Sequence, residues 1–555
     1  MIVTLHGPKA PLAHLARPAL LALQRAGAIL LFLVHAAAGA AVQPAAAAPE
    51  ANGGAYTGVD ARLLSARLYA NGPALLWLAD GPQRARLALR LLGNAGEHGL
   101  DPSSYGVDAL ARRLEGVQQG QGDGASVAAL DRELSTAVLQ YLADLRFGRV
   151  ASHYRPASGA PGEFDPVAHL RQALAEGGLE DAVASAAPAI ALYGRVKDML
   201  AHYRELAGAA PDWPALPPAG PGARAPGDAY AGAALLCERL RLLGDLGPQG
   251  RAAPPSCDGR YTDELAAAVR RFQGRHGLEE DGVLGPATLA ALAVPPSQRV
   301  AQLALTLERL RWLPPLPRGR IVAVNVPTYR LWAFDTGAGS AAPMLEMRVI
   351  VGTAARTPTP LFIGQMRYLE FNPYWNVPPS IQAGEIVPKL ARNAAYLQQN
   401  DMELVGADGR VLQLAPDQAL ARLRRGDVRV RQRPGPHNAL GELKFAMPNP
   451  MNIYLHSTSS KELFGRTRRD LSHGCIRVER PAELAQFVLA DPRRWDAAAV
   501  AKAMLPGPMR TVTLARPVPV VLFYATALVD QHGQALFAQD IYRQDAALMR
   551  ALGMR

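Results

Sequence analysis

Cysteine is nearly missing from this chain: three in 555 residues. That excludes a disulfide-built scaffold and a multi-cysteine zinc array. No long Lys/Arg run is present, so the basic excess of 59 − 48 = +11 does not point to nucleic acid. It fits an anionic envelope surface or a solvated face instead. Long hydrophobic runs are confined to the first fifty residues, which rules out a many-span membrane protein. What remains is a chain long enough for three or four domains at about 150 residues each. At 49% hydrophobic residues it can bury more than one core. A globular multidomain enzyme is the reading these features favour.

The N-terminus has the form of an address. Lys9, Arg17 and Arg25 precede an apolar run from Ala26 to Val42 that only His35 interrupts, and no acid comes before Glu50. Small residues at Ala36–Ala41 and Ala45–Ala48 offer cleavage points, so residues 1–48 are expected to be a secretory signal or a retained anchor. Export permits disulfides, and three cysteines then leave one unpaired.

From about 56 to 207 apolar residues recur near a 3.6 period, as at Leu134, Val138, Tyr141 and Leu145, and again at Tyr193, Val196, Leu200 and Tyr203. Nothing in this helical stretch clusters chemistry, so it is expected to be scaffold. Residues 208–227 hold six prolines and are expected to be a linker. The next unit, 230–294, has three short helical patterns around Leu236, Val269 and Leu289. Through Phe272-Gln273, Gly277-Leu278 and Asp281-Gly282 it resembles the peptidoglycan-binding module found beside many wall enzymes. Cys237 and Cys257 both fall here, as a disulfide or as two buried thiols.

After an expected helix at 300–312 the period changes to two. The stretch RIVAVNVPTYRLWAFD reads as a strand with Val322, Val324 and Val326 on one face. MLEMRVIVG starts another, QMRYLEFNPYWNVP and MNIYLHS continue the pattern, and two more strands are expected around Pro517. Helical pieces are expected at 382–399 and 481–489, and residues 380–430 read as an insertion over the sheet. The remaining 529–555 read as a tail.

Chemistry concentrates at YLHSTSSKELFGRTRRDLSHGCIRV, where Cys475 follows Ser472-His473-Gly474 and a second histidine stands at His456. A free thiol has a pKa of about 8.5, and a nearby imidazole is expected to convert it to thiolate for acyl transfer through a thioester. Amide N–H groups around Gly474 and Cys475 could hold an oxyanion, a contribution of about 2.7–4 kcal/mol per donor. Two blander readings compete. A lone cysteine is most often a small buried hydrophobe, and His456, His473 and Cys475 could instead ligate zinc.

The pattern of His456, fifteen intervening residues, then Ser472-His473-Gly474-Cys475-Ile476 resembles the signature of the L,D-transpeptidase (YkuD-type) catalytic domain. VNVPTYRLW, FNPYWNVPPSI and RQRPGPHNALGELKFAMPN resemble the large periplasmic branch of that family. The resemblance implies a multidomain α+β chain. It would comprise a helical scaffold domain, a small three-helix peptidoglycan-binding module, and a mainly-β catalytic domain over 318–528 with an inserted lid subdomain. It further implies that Cys475 is the nucleophile, that His456 is its base and that the Ser457 carbonyl orients the imidazole, so the Ser457 side chain should matter little. Tyr454 and Trp375 would line the donor cleft, with Ser472 also at the substrate. Arg477 would sit near substrate carboxylates, suited by its fixed charge and fork geometry.

The reaction implied links the third residues of two peptidoglycan stem peptides, a donor tetrapeptide and an acceptor stem, and releases D-Ala. By the same resemblance carbapenems would acylate Cys475, no metal or organic cofactor is needed, and the location is the periplasm or cell envelope. An L,D-carboxypeptidase on the same site and a non-enzymatic wall-binding scaffold are the alternatives. Spacing alone favours His473 over His456 as base, since residues two apart in an extended strand share a face. The resemblance favours His456 from a neighbouring strand, where a cross-strand partner at about 5 Å reaches more readily.

Overall fold

Apolar residues three and four apart make most of the described residues between 61 and 311 helical, and short acidic caps start several of these helices. The computed structural model describes residues 60–70, 72, 74–150, 164–219, 224–247, 257, 259–338 and 344–554. The N-terminal address lies outside the described residues. Among those described, no helix is long and apolar enough to cross a membrane.

Helices α1 (Ala61–Tyr69), α2 (Gln83–Gly93), α3 (Val107–Gln118), α4 (Gly124–Phe147), α5 (Pro166–Glu176) and α6 (Leu179–Ala186) pack around one apolar cluster. Asp60, Asp123 and Asp165 cap α1, α4 and α5 by accepting from first-turn amides. Asp131, fully buried on α4, accepts from the amides of Leu76, Trp77 and Leu78 and from the Tyr69 hydroxyl. A buried carboxylate so completely bonded pins an irregular segment that the apolar period does not specify.

Helix α7 (Ala191–Ala209) leads into the proline-rich segment. Its described residues are strapped down on α8 (Ala233–Leu242), α9 (Asp263–Arg275) and α10 (Pro286–Leu292). The Trp213 indole donates to the Leu292 carbonyl at 3.0 Å, and the Arg239 guanidinium lies 4.4 Å from the Trp213 ring centre. The Tyr230 hydroxyl donates to the Pro217 carbonyl at 2.8 Å. Proline lacks an N–H, so such a segment holds on through its carbonyls and through aromatic packing. Within the unit, Gln273 bonds Asp281, Thr288 and the Gly282 amide, so the motif residues serve as internal fasteners. Cys237 and Cys257 form a disulfide with Cα atoms 6.1 Å apart, leaving Cys475 free.

Beyond α11 (Pro296–Arg311) the strands begin: β1 (Arg320–Asn325), β2 (Arg330–Asp335), β3 (Leu345–Gly352), β4 (Phe362–Phe371), β5 (Trp375–Asn376), β6 (Met402–Val405), β7 (Val411–Leu412) and β8 (Arg429–Gln432). They continue as β9 (Leu443–Ala446), β10 (Leu455–His456), β11 (Asp470–Ser472), β12 (Ile476–Val478), β13 (Arg510–Phe523), β14 (Ala527–Val529) and β15 (Ala535–Phe537). Nine of these form a sheet in the order β11-β3-β12-β10-β9-β4-β13-β1-β2, and a β2–β3 pairing closes it into a barrel-like ring. Val322, Val349, Leu369, Phe445, Leu455, Ile476 and Val520 fill the core.

Several expectations change here. The stretch read as one strand at 320–335 is a hairpin, turned at Tyr329 with φ +53°. The two strands expected around Pro517 are one strand, because a bulge between Thr513 and Val518 carries the proline out of the ladder. The inserted region is not simply helical. It contains a sheet ordered β5-β8-β6-β7 over its own core of Val377, Ile386, Leu390, Leu404 and Val430. The residues read as a tail are packed too. Phe537 stacks 5.5 Å from the His276 ring and meets the Tyr203 ring edge-on at 5.4 Å, while Arg309 pairs with Asp545 at 2.6 Å.

Candidate active site

Strand register builds the site. In the parallel β10–β12 pair Leu455 lies level with Ile476, and His456 with Arg477. Leu455 and Ile476 belong to the core, so the period-two alternation turns His456 and Arg477 to the opposite face. The same row continues through Lys444 on β9 to Glu370 on β4, whose side chains pair at 2.8 Å. Tyr454, just before β10, shares that face, with its ring centre 5.7 Å from the His456 ring and 4.9 Å from the Lys444 ammonium.

Cys475 precedes β12 in a bend of residues 473–475, not within an extended strand. Gly474 takes φ +110° there, a conformation that suits glycine. The bend is tied from several sides. The Ser472 hydroxyl donates to the Cys475 carbonyl at 2.6 Å and accepts from the Gly474 amide at 3.2 Å. Thr359 donates to the Gly474 carbonyl at 2.8 Å, and Gly352 comes so close that a Cβ there would lie 2.9 Å from the Gly474 Cα. The Tyr542 hydroxyl donates to the Gly352 carbonyl at 2.6 Å.

Two sequence-based placements therefore shift. Ser472 is buried and spends its hydroxyl on the bend that carries Cys475. The Gly474 amide is likewise committed. The amides of His473 and Cys475 take no part in the ties that hold the bend.

The Cys475 thiol is partly exposed and donates to the Asn452 carbonyl at 3.7 Å. Burial pushes its pKa up, and the backbone and hydroxyl of Tyr454 pull it back in part. The Tyr454 hydroxyl meets both the thiol and the Trp375 side chain, which joins the inserted sheet to Cys475. His456 is buried, and desolvation, helped by the Arg477 charge, lowers its pKa to about 3. Backbone hydrogen bonds at Ser457 and Leu440 act on the ring, while its Nδ1 is buried without a partner. Burial thus works against the charged form of both groups. A resting thiolate, expected from the histidine's proximity, is not the state that burial favours.

His473 turns elsewhere. Its Nε2 meets Glu385 of the inserted region at 2.5 Å. Residues of the zinc reading accordingly do not converge: no group of three His, Cys, Asp or Glu side chains among the described residues could hold a metal ion. The Arg477 Nε is buried without a partner beside the thiol, an unspent donor in the cleft. The Ser457 hydroxyl donates to Glu442 at 2.7 Å, and Glu442 also pairs with Lys461 at 3.1 Å. Glu385, Glu442 and Lys444 were not singled out in the sequence, where nothing local marks them.

Comparison with known proteins fits this geometry. Residues 319–520 match the L,D-transpeptidase catalytic domain of the YkuD family. A scaffold domain matches over 64–200 and a “Putative peptidoglycan binding domain” over 234–292. A Haemophilus influenzae protein named “Putative L,D-transpeptidase” is 33% identical over 248 residues, 44% of this chain and 48% of its own length. The chain thus spans about half of that curated relative. Solved L,D-transpeptidases from Xylanimonas cellulosilytica and Stackebrandtia nassauensis are 18% and 15% identical, with TM-scores of 0.17 and 0.22. They cover 55% and 54% of this chain and 100% and 94% of their own, and at those TM-scores they carry no argument. Within the matched region, the string from Ser472 to Ile476 forms the bend at Cys475 and the start of β12.

Proposed function

We propose that this chain cross-links peptidoglycan stem peptides by L,D-transpeptidation, with Cys475 as nucleophile and His456 as base. The observation that carries the reading is the sheet face shared by His456 and Arg477, with Cys475 beside it and an unpartnered Nδ1 on the buried imidazole.

In the first step the Cys475 sulfur attacks the carbonyl of the third donor residue. Its proton passes to His456, so thiol and imidazole, both neutral at rest, become charged only as the bond forms. The amides of His473 and Cys475 receive the developing oxyanion. The C–N bond to the terminal D-Ala then breaks, and His456 returns the proton to the leaving amine. In the second step an acceptor amine attacks the thioester, gives its proton to His456 and releases the thiol. Arg477 would meet a substrate carboxylate through its unspent donors. Tyr454 and Trp375 would wall the donor cleft, and the unit at 230–294 would hold the enzyme on its polymer. Carbapenems are expected to acylate the same thiol, and the setting is the cell envelope.

Mass spectrometry of muropeptides after incubation with tetrapeptide-stem peptidoglycan tests this. Dimers joined through third residues, accompanied by free D-Ala, are expected. Tripeptides alone would mean that water resolves the thioester, the carboxypeptidase outcome.

A further inference from the structure

A backbone N–H lies in the same rigid plane as the preceding carbonyl and points the opposite way. Whatever holds the carbonyls of Ser472 and Gly474 therefore aims the amides of His473 and Cys475. The Ser472 carbonyl accepts from the Thr353 amide at 3.0 Å and from the Thr357 hydroxyl at 3.1 Å. The Gly474 carbonyl accepts from the hydroxyl of Thr359, a buried residue, at 2.8 Å. Both aims thus originate in one loop, residues 353–359, which follows β3.

A residue 183 positions further along the chain holds that loop. The Thr359 amide donates to the Tyr542 hydroxyl at 3.0 Å, and that hydroxyl donates to the Gly352 carbonyl at 2.6 Å. The Gly352 amide donates to the Thr359 hydroxyl at 2.8 Å, so the three bonds close a ring. Within it the Thr359 hydroxyl already accepts, and its one proton goes to the Gly474 carbonyl. The ring has no slack. A Cβ on Gly352 would lie 2.8 Å from the Thr359 amide nitrogen and 2.9 Å from the Gly474 Cα. Tyr542 is fixed in its turn. Its amide donates to the Tyr524 hydroxyl at 3.0 Å, which donates to Asp540 at 2.5 Å. Asp540 also accepts from the amides of Gln544 and Asp545, and Asp545 pairs with Arg309 on α11 at 2.6 Å.

We propose that Tyr542 is a positioning residue, which through Thr359 holds the Gly474–Cys475 peptide so that the Cys475 amide meets the oxyanion. This rests on the transpeptidase reading. Tyr542 lies beyond the matched residues 319–520, so the working unit extends into the C-terminal segment. A phenol suits the position. The ring of bonds needs one acceptor for the Thr359 amide and one donor for the Gly352 carbonyl, and a single hydroxyl supplies both.

The test uses the full chain and two reactions of one thiol. Acylation by a donor tetrapeptide builds an oxyanion, whereas alkylation by iodoacetamide builds none. Tyr542→Phe removes one oxygen and is expected to slow acylation about tenfold at saturating donor, the scale of one hydrogen bond. KM and the alkylation rate should stay near wild type. Thr359→Val, which keeps the shape and loses the hydroxyl, should be at least as slow, and Thr359→Ser, which keeps the hydroxyl, should acylate near the wild-type rate. Tyr542→Phe combined with Thr359→Val should be no slower than Thr359→Val alone. Wild-type acylation by Tyr542→Phe, an equal loss of alkylation, a slow Thr359→Ser, or losses that multiply in the double variant would each overturn the proposal. Should Thr359→Val not fold, Tyr542→Phe and Thr359→Ser decide between these outcomes. A wild-type enzyme that forms no acyl-enzyme would overturn the transpeptidase reading as well, which separates the two failures.

Discussion

His456 lies level with Arg477 across the parallel β10–β12 pair, on the face that Leu455 and Ile476 leave free by turning into the core. One consequence is electrostatic. Burial is the main effect that disfavours a charged imidazole, and the guanidinium adds to it. The free enzyme therefore holds a neutral pair, and the first prediction follows. Alkylation of Cys475 should rise with pH through a midpoint above the ordinary thiol range, with no thiolate plateau at low pH. His456→Ala should leave that profile nearly unchanged while reducing acylation by about 10²–10⁴-fold, the usual contribution of a general base. A wild-type thiol already ionised at pH 6 would contradict the neutral pair.

Tyr454 should tune the same thiol. Its hydroxyl favours the thiolate, against the larger effect of burial. Tyr454→Phe is expected to move the alkylation midpoint further up, measured by the pH dependence of iodoacetamide modification. A downward move would contradict this.

Ser457 is expected to matter through its side chain, contrary to the reading from sequence. Its buried hydroxyl donates to Glu442, and its backbone helps hold the His456 ring. Ser457→Ala leaves a half-buried carboxylate short of one donor, a loss of about 1.5–3 kcal/mol for a bond to a charged group. Lower thermal stability together with slower acylation is expected. Unchanged values of both would show that only the backbone counts.

Acid should weaken the fold in a defined window. His98 in the scaffold and His456 both have pKa values lowered from 6.5 to about 3, chiefly by burial. Unfolded imidazoles bind protons below about 6.5 while the buried ones do not, so stability falls as pH drops from that value toward 3. Each unit of pH amounts to about 1.4 kcal/mol per group. Urea midpoints at pH 7 and 4.5 check it, and His98→Asn should flatten the slope relative to wild type. Equal slopes would contradict a buried neutral His98.

Cys475 and His456 stood out because they sit in one string, and a helical first half was legible from its period. Their surroundings were not. Glu385 reaches His473 across 88 positions and Glu442 reaches Ser457 across fifteen, contacts that only the folded barrel creates. The bend itself misled, since period-two reasoning placed His473 and Cys475 on one strand face whereas Gly474 breaks the extension. The C-terminal hairpin was missed because its apolar signal is short. It covers His276 and Tyr203 with little more than Phe537. The inserted sheet escaped for the same reason, its strands being two to four residues long.

The central claim is that Cys475 carries the donor as a thioester. Intact-protein and peptide mass spectrometry after acid quench of the full chain with a tetrapeptide stem measures this directly. The account predicts an adduct on Cys475 equal to the donor less D-Ala, lost on addition of an acceptor amine and absent from Cys475→Ala. D-Ala release or cross-linking that persists in Cys475→Ala would contradict it.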